Sequence, residues 1–420
     1  MRRTPNTSFY CCIPFFLLLG TTLFAQESEL DINGFVRSRV AFQIDDGTLF
    51  INEQMLSTAL DWQTDSVTAH VDFALSTVGG LSITPELKEL YIDWYGDSFN
   101  FRIGKQKILW GKADGVFITD LVSPKDLSAF LTKDIGELRL GVSGAKFDIF
   151  AGPHQIEAVW LPVFVPAILP APGSMWAISP SFPVIPTISP AILPEASLAN
   201  AEYFARYSYL GSLLDVQLMG GWFWNDTPAT TITSKTFGPG PSLTAIDIQL
   251  EYYQVAVAGL AASLPLGPLV LKGEGSFTWN QRYQAEMSSF TEGWTEKNDI
   301  QYLVGADVSF AGATLSLQWI QDIVLEHEPS LFRDSMLNSI TAILMRSFNR
   351  ETIKAELFTV FNITDIASME FDAMIKPQLS WIPGNGLQVS LGGWFFVGDS
   401  GQFGNYTDNN ALYLSTAYYY

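Results

Sequence analysis

Three histidines, His70, His154 and His327, are the chain's whole supply of imidazole, and its two cysteines, Cys11 and Cys12, stand side by side near the start. Nucleophilic hydrolysis needs an imidazole oriented between a hydroxyl or thiol and an acid. None of the three histidines has such partners at a recognisable spacing. Glu326-His327-Glu328 offers metal-ligand types, but one imidazole between two acids falls short of a closed ligand set and reads as a solvated loop. Asp45-Asp46, Glu292 and Glu296 read the same way, able at most to gather divalent cations. No glycine-rich phosphate loop follows a strand and opens a helix. The sequence therefore predicts no catalytic residue, no cofactor and no metal centre, and gives little to a protease or phospholipase reading. The pattern with chemical content is another one. Arg37 and Arg39 stand two apart, which on a strand sends both guanidinium groups to one face. In a confined space of low dielectric such a pair attracts anions and repels cations, unless a carboxylate such as Asp61 neutralises it.

The elements that hold this pair belong to an exported, apolar chain. Of the 420 residues 48% are hydrophobic and only 16% charged, against a usual charged share of about 25%. The net charge of −20 leaves no basic surface for phosphates and excludes a nucleic-acid partner. Arg2 and Arg3, a short apolar core from Ile13 to Leu19 and the sequence Leu23-Phe24-Ala25 read as an export signal removed after residue 25. Pro14 and the shortness of the run argue against a membrane anchor helix. Cys11 and Cys12 precede the apolar core, so neither is placed as a lipoprotein acceptor, and the mature chain (26–420) has no disulfide. No later segment could span a bilayer as a helix, since the most apolar one, Leu161 to Pro194, carries nine prolines. The remaining spanning solution is a closed β-barrel.

Alternation runs through the whole mature chain. In the first strand Ile32, Val36, Val40, Phe42 and Ile44 share one face, and Asn33, Arg37, Arg39 and Gln43 the other. The stretches 67–75 and 269–279 repeat this period of two. Every second link is tight, at Thr64-Asp65, Gly96-Asp97, Gly152-Pro153, Leu210-Gly211, Pro265–Pro268, Ala311-Gly312, Asn349-Arg350 and Pro383–Gly386. The links between are longer. This predicts an all-β fold: a closed up-and-down antiparallel transmembrane barrel of about 18 strands, with 16 the alternative, short periplasmic turns and long outer loops. Segments 137–150 and 244–264 are read as single strands whose parity slips at a bulge. Trp62, Trp94 and Trp381 beside the turns, and Trp222, Trp224 and Trp279 near the long loops, form two aromatic belts. The end of the chain, with Leu412, Leu414, Thr416, Tyr418 and Tyr420 on one face, resembles the C-terminal signal read by barrel-assembly machinery. Expected partners are thus outer-membrane lipid, that machinery and a permeant. The expected place is the outer membrane of a diderm bacterium.

The run Arg102-Ile-Gly-Lys-Gln-Lys-Ile-Leu-Trp-Gly111, with Asp114 shortly after and then Ser123-Pro-Lys-Asp126, resembles a family of poorly characterised Gram-negative outer-membrane barrels grouped as a domain of unknown function. Ser123 stands where that pattern usually has Asn. The prolines of 161–170 and Pro172-Gly-Ser-Met-Trp176 resemble the family's proline-rich segment, and the likeness covers roughly Leu87 to Trp176. It implies a porin-like barrel and no particular substrate.

By strand parity the candidate pore-lining residues are Arg37, Arg39, Asp61, Asp72, Asp93, Arg102, Gln106, Lys112, Asp114, Lys272 and Glu274. Lys105 and Lys107 fall on the lipid face, which requires either snorkelling at the rim or, the preferred reading, a bulge at Gly104. The loop 111–136 is long enough to fold into the lumen, as a constriction, a structural clamp or both. The proline-rich loop 161–194 contains Pro-Ala-Ile-Leu-Pro twice and is too apolar to stand free in water. Either it packs on the rim and its neighbours, or Phe164, Ile168, Leu169, Trp176 and Phe182 form an apolar gate. Three functions follow: a passive channel for small solutes, which is the preferred one; a conduit for hydrophobic molecules; and a non-conducting barrel that displays loops as an adhesin or anchor.

Overall fold

The computed structural model describes residues 28–80, 82–178, 182–239, 242–365 and 370–420; the export signal expected over residues 1–25 lies outside them. Seven strands come first: β1 (Glu29–Gln43), β2 (Leu49–Gln63), β3 (Val67–Val78), β4 (Thr84–Tyr95), β5 (Phe99–Gln106), β6 (Val142–Ala151) and β7 (His154–Leu161). The short β8 (Thr187–Ile192) precedes β9 (Glu202–Leu210) and β10 (Asp215–Trp224). A hairpin follows, β11 (Ala229–Phe237) and β12 (Leu243–Glu251). The chain then continues through β13 (Gln254–Leu266), β14 (Leu269–Gln284), β15 (Trp294–Phe310), β16 (Ala313–Val324) and β17 (Met336–Phe348). It ends with β18 (Ile353–Asp365), β19 (Glu370–Gly384), β20 (Leu387–Val397) and β21 (Ala411–Tyr419).

Eighteen of these form one antiparallel sheet, in which each strand pairs with its neighbours in the chain and β21 pairs back onto β1, from Phe35↔Tyr419 to Gln43↔Ala411. The ring is closed, so no barrel edge is left to satisfy in lipid. All eight tight links are present. Some outer links are shorter than the pattern suggested: only five residues join β1 to β2 and β3 to β4.

The faces separate as the alternation requires. Ile32, Val36, Leu260 and Leu391 are about half exposed on the outside, whereas Arg37 and Arg39 are buried within the ring. Trp160, Tyr203 and Trp222 stand side by side in register on β7, β9 and β10, and beyond Ala256 the row reaches Trp279 on β14. All four rings face outward, as a girdle at the outer interface should.

Three local expectations are corrected. Segment 137–150 is not one bulged strand: β6 begins only at Val142, and both of its ladders run without a register shift. Segment 244–264 is not one bulged strand: it breaks at Tyr252-Tyr253, and its first half leaves the barrel. There β12 pairs with β11 and, in parallel, with β8 to make a separate three-stranded sheet. The bulge expected at Gly104 lies on the neighbouring strand, where the β3–β4 register shifts at Asp72/Phe73 and leaves Lys88 extra. Both ladders of β5 run unbroken through Gly104, whose φ is 135°; a Cβ there would lie 2.2 Å from the Leu90 carbonyl, so only glycine fits. Lys105 is instead a rim residue, its Nζ donating to the Leu87 carbonyl at 2.5 Å.

Candidate functional site

The site is built by residues 107–141, which leave β5 and turn into the ring. Their first anchor is Trp110. Its indole N–H donates to Glu157 Oε1 at 2.6 Å, and its backbone N–H to Asp120 Oδ1 at 3.1 Å. Arg206 pairs with the other oxygen of Glu157 at 2.7 Å and lies over the indole. Around it Ile108, Val122, Leu161, Phe204 and Phe223 form a dry cluster. Gly111 follows with φ 88°. A Cβ at this position would come within 2.9 Å of Thr119 Oγ1 and Glu274 Oε1, so the tight pairing of Trp with Gly is sterically required.

The loop then reaches the far wall. Glu274 accepts from the backbone N–H groups of Lys112 and Ala113 and from Thr119 Oγ1. Gln318 accepts the Asp114 N–H and donates to the Asp114 carbonyl. The Asp114 carboxylate meets Lys272 Nζ at 2.5 Å, and Lys272 also pairs with Asp307 at 2.6 Å. Lys272 lies only three residues into β14 from its tight turn, so these contacts are deep in the barrel. On the return path Glu137 and Asp134 pair with Arg37 and Arg39 at 2.7 and 3.1 Å. Lys376 of β19 donates to the carbonyls of Leu131 and Lys133. Contacts with luminal side chains of β1, β7, β14, β16 and β19 put the segment inside the ring.

What remains open lies on two sides of this loop. A cavity of about 350 Å³ separates residues 115–138 from the wall of β1 and β17–β21; Arg37, Arg39 and Lys376 line it together with Phe117, Phe358 and Trp394. Arg39 Nε is buried there without a partner. On the other side a cavity of about 160 Å³ is lined by Asp120, Lys125, Asp226, Gln281 and Gln301. Burial pushes the Asp226 carboxyl up to about 7, with Lys125 opposing and Asp120 adding to the rise. Nearby, burial would raise Asp126, but Lys133 and the Ser128 hydroxyl and N–H outweigh it and hold the carboxyl below the usual range.

The other candidates divide into groups. Asp61 pairs with His70 at 2.7 Å, Asp72 faces Ser57 Oγ at 3.5 Å, and Asp93 holds Arg102 through two bonds of 2.6 and 2.8 Å. Gln106 is fully buried with its Oε1 unpartnered, and Lys112 reaches Asp215 at 3.7 Å. Glu274 is 5% exposed and its oxygens are spent on the loop. The apolar candidates are not brought together. Phe164 packs on Tyr252 and Trp224, Trp176 on Phe130, Phe396 and Tyr406, and Phe182 on Ile232, Ile246 and Ile248. Ile168 exchanges backbone bonds with Lys125 and Leu127 of the inward loop, while Leu169 is 41% exposed. Sequence reasoning missed Lys376 and the Glu157–Arg206 pair. Both lie on luminal parity, and Lys376 is the lone cation of β19, so alternation alone could have found them.

The family described as a protein of unknown function, DUF1302, matches this sequence over residues 85–381. The chain belongs to it. The DUF1302 span contains the whole inward loop, and its recognisable residues have structural tasks there: Trp110 anchors the entry, Gly111 permits the turn, Asp114 pairs with Lys272, and Ser123 Oγ accepts the Ile108 N–H at 2.9 Å. Among solved structures, OccAB1 of Acinetobacter baumannii is similar at 9% identity and TM-score 0.56, over 94% of this chain and 96% of that one. OccK8 (OprE) of Pseudomonas aeruginosa gives 10% and 0.54, over 94% and 98%. OccD3 (OpdP) of the same organism gives 10% and 0.53, over 93% and 91%. Those proteins are porin barrels, and at such identities the likeness is one of fold. No curated protein matches.

Proposed function

We propose that this DUF1302 chain is a porin-like channel of the outer membrane of a diderm bacterium, passing small solutes, with residues 107–141 as its constriction. The observation that carries the reading is the larger cavity: it lies between the inward loop and the wall and is lined by both. A solute crossing there passes Arg37, Arg39 and Lys376 on the barrel wall, with Phe358 and Trp394 on the same wall and Phe117 on the loop. In so confined a space the fixed cations favour anions, and the aromatic walls tolerate an apolar body. The hydrophobic-conduit alternative loses support because Phe164, Trp176 and Phe182 serve three separate clusters. The barrel's partners in this reading are lipid, the assembly machinery that reads the last strand, and the permeant.

Planar-bilayer recording of the refolded mature chain tests the proposal. Defined conductance steps are expected, with reversal potentials displaced toward anions. Replacing Arg37 and Arg39 together by Gln removes two cations and also leaves Glu53, Glu137 and Asp134 unneutralised, so the preference should cross toward cations. A folded barrel whose reversal potential does not move rejects the selectivity role. One that never conducts favours the display reading.

A further inference from the structure

The proline-rich link between β7 and β9 has two halves with different surroundings. The first is pinned over the inward loop and the mouth: the Ala167 N–H donates to the Asp226 carbonyl, the Ile168 N–H to that of Lys125, and Tyr406 and Asn409 side chains hold the carbonyls of Trp176 and Met175. The second half turns outward and is bare. Ile185 is 96% exposed, Ile192 68% and Leu198 74%, with Ile188 and Leu193 more than half exposed. No charged residue occurs before Glu195. An apolar surface of this kind marks a contact site.

Two further observations identify what it contacts. Tyr203 donates from its hydroxyl to the Leu198 carbonyl at 3.0 Å, and its ring stands in the outward row with Trp160 and Trp222. Leu198 therefore lies against the aromatic girdle, where such rings mark the membrane interface. The wall below is also low: β5 and β7 have 8 residues each, fewer than the roughly 9–11 of a tilted membrane strand. Apolar surface beyond their ends would supply the lipid contact that the strands do not. Pairing with a strand of another chain fits less well, because Pro190 within β8 and Pro186 and Pro194 on either side of it remove N–H donors from this stretch.

We propose that residues 185–198 form a membrane foot, with Ile192, Leu193 and Leu198 set into the acyl-chain region of the outer leaflet beside β7–β10. The inference rests on the barrel spanning the membrane, and the test carries its own control for that. The sequence has no cysteine after Cys12, so Ile192→Cys and Leu198→Cys in the mature chain each accept one nitroxide label. Leu260→Cys on the outer barrel face serves as the embedded reference, and Ser400→Cys in an exposed outer loop as the aqueous one. In phosphatidylcholine bilayers, power-saturation spectroscopy compares access of oxygen with access of a water-soluble nickel complex. The ratio at 192 and 198 should match that at 260 and exceed that at 400. Ratios matching position 400 overturn the foot while leaving the barrel standing, and a water-like ratio at 260 overturns the barrel itself. Dipolar broadening with both reagents excluded at 192 and 198 means that a second copy covers the patch, which also overturns lipid contact.

Discussion

The two sides of the inward loop are made of similar residues put to different use. Against β7, β9 and β14 the loop is docked: Trp110, Glu157, Asp120 and Glu274 are buried and Arg206 is half-buried, and the carboxylates have partners at 2.5–3.1 Å, Arg139 for Asp120 among them. Against β1 and β17–β21 it is tied only at Arg37, Arg39 and Lys376 and otherwise stands off across the larger cavity, where Arg39 holds Asp134 through one nitrogen and Lys376 bonds only to carbonyls. The difference teaches which charges hold the structure and which can meet a solute. A buried carboxylate whose oxygens already accept two or three N–H or O–H groups is screened from an ion in transit, whereas a cation facing a cavity is not.

Breaking the docked side should have the largest effect. Trp110→Ala removes a large buried side chain, for which about 3–5 kcal/mol is expected, and strips one donor from Glu157. Arg206→Met leaves the Glu157 carboxylate, 2% exposed, with the Trp110 indole as donor and Lys146 at 4.0 Å as its only cation; removing one member of a buried pair costs about 3–5 kcal/mol. Both variants should unfold at lower denaturant, and Trp110→Ala should also widen and destabilise the conductance as the loop comes loose. If its conductance steps stay unchanged, the loop is held from the open side instead.

The open side should show the opposite balance. Lys376→Met keeps the length of the side chain and removes a charge that no carboxylate compensates at bonding distance. Its two carbonyl partners border the cavity and can turn to water, so stability should change by about 1 kcal/mol or less. The reversal potential should still move toward cations, in the direction of the Arg37/Arg39 change but by less. A loss of stability like that of Arg206→Met, with unchanged selectivity, would make Lys376 another clamp and remove the distinction between the two sides.

How much of this was legible in the sequence follows from what alternation can encode. Period two gave the parity of Arg37, Arg102, Lys272 and Glu274, and the tight links gave the number of strands, because each depends only on residues near in the chain. It could not tell that Glu274 is covered, since the N–H groups that cover it belong to Lys112 and Ala113, more than 150 positions away. Leu243–Glu251 alternates as well as any barrel strand, so its departure into a small sheet with β8 had no local sign beyond the slip at Tyr252-Tyr253. Gly104 illustrates an ambiguity of type: a glycine in a strand marks either a bulge or a close approach, and here the approach to Leu90 decided it. The proline-rich segment was recognisably too apolar for water. Which of its side chains face inward was set by partners on β10, β20 and the inward loop.

The smallest expected effect tests whether the docked side is as dry as its contacts suggest. Asp226, in the link after β10, borders the smaller cavity with Asp120 and Lys125. Burial and Asp120 raise its carboxyl to about 7 from an ordinary 3.8, against the pull of Lys125. The folded chain then holds a proton that the unfolded chain has given up between those two values. The stability that this group contributes is therefore greatest below about pH 4 and is lost as the pH rises through 7. The side chain is not fully enclosed, and water reaching it from the cavity limits the effect to about 1 kcal/mol or less. Asp226→Asn cannot ionise, so its unfolding midpoint should decline less than that of the parent between pH 4 and 8, with the two closest at the acid end. Parallel curves would mean that the carboxylate titrates in water as an ordinary acid. The smaller cavity would then be open like the larger one, and only the Trp110 and Glu274 anchors, not dryness, would separate the two sides of the loop.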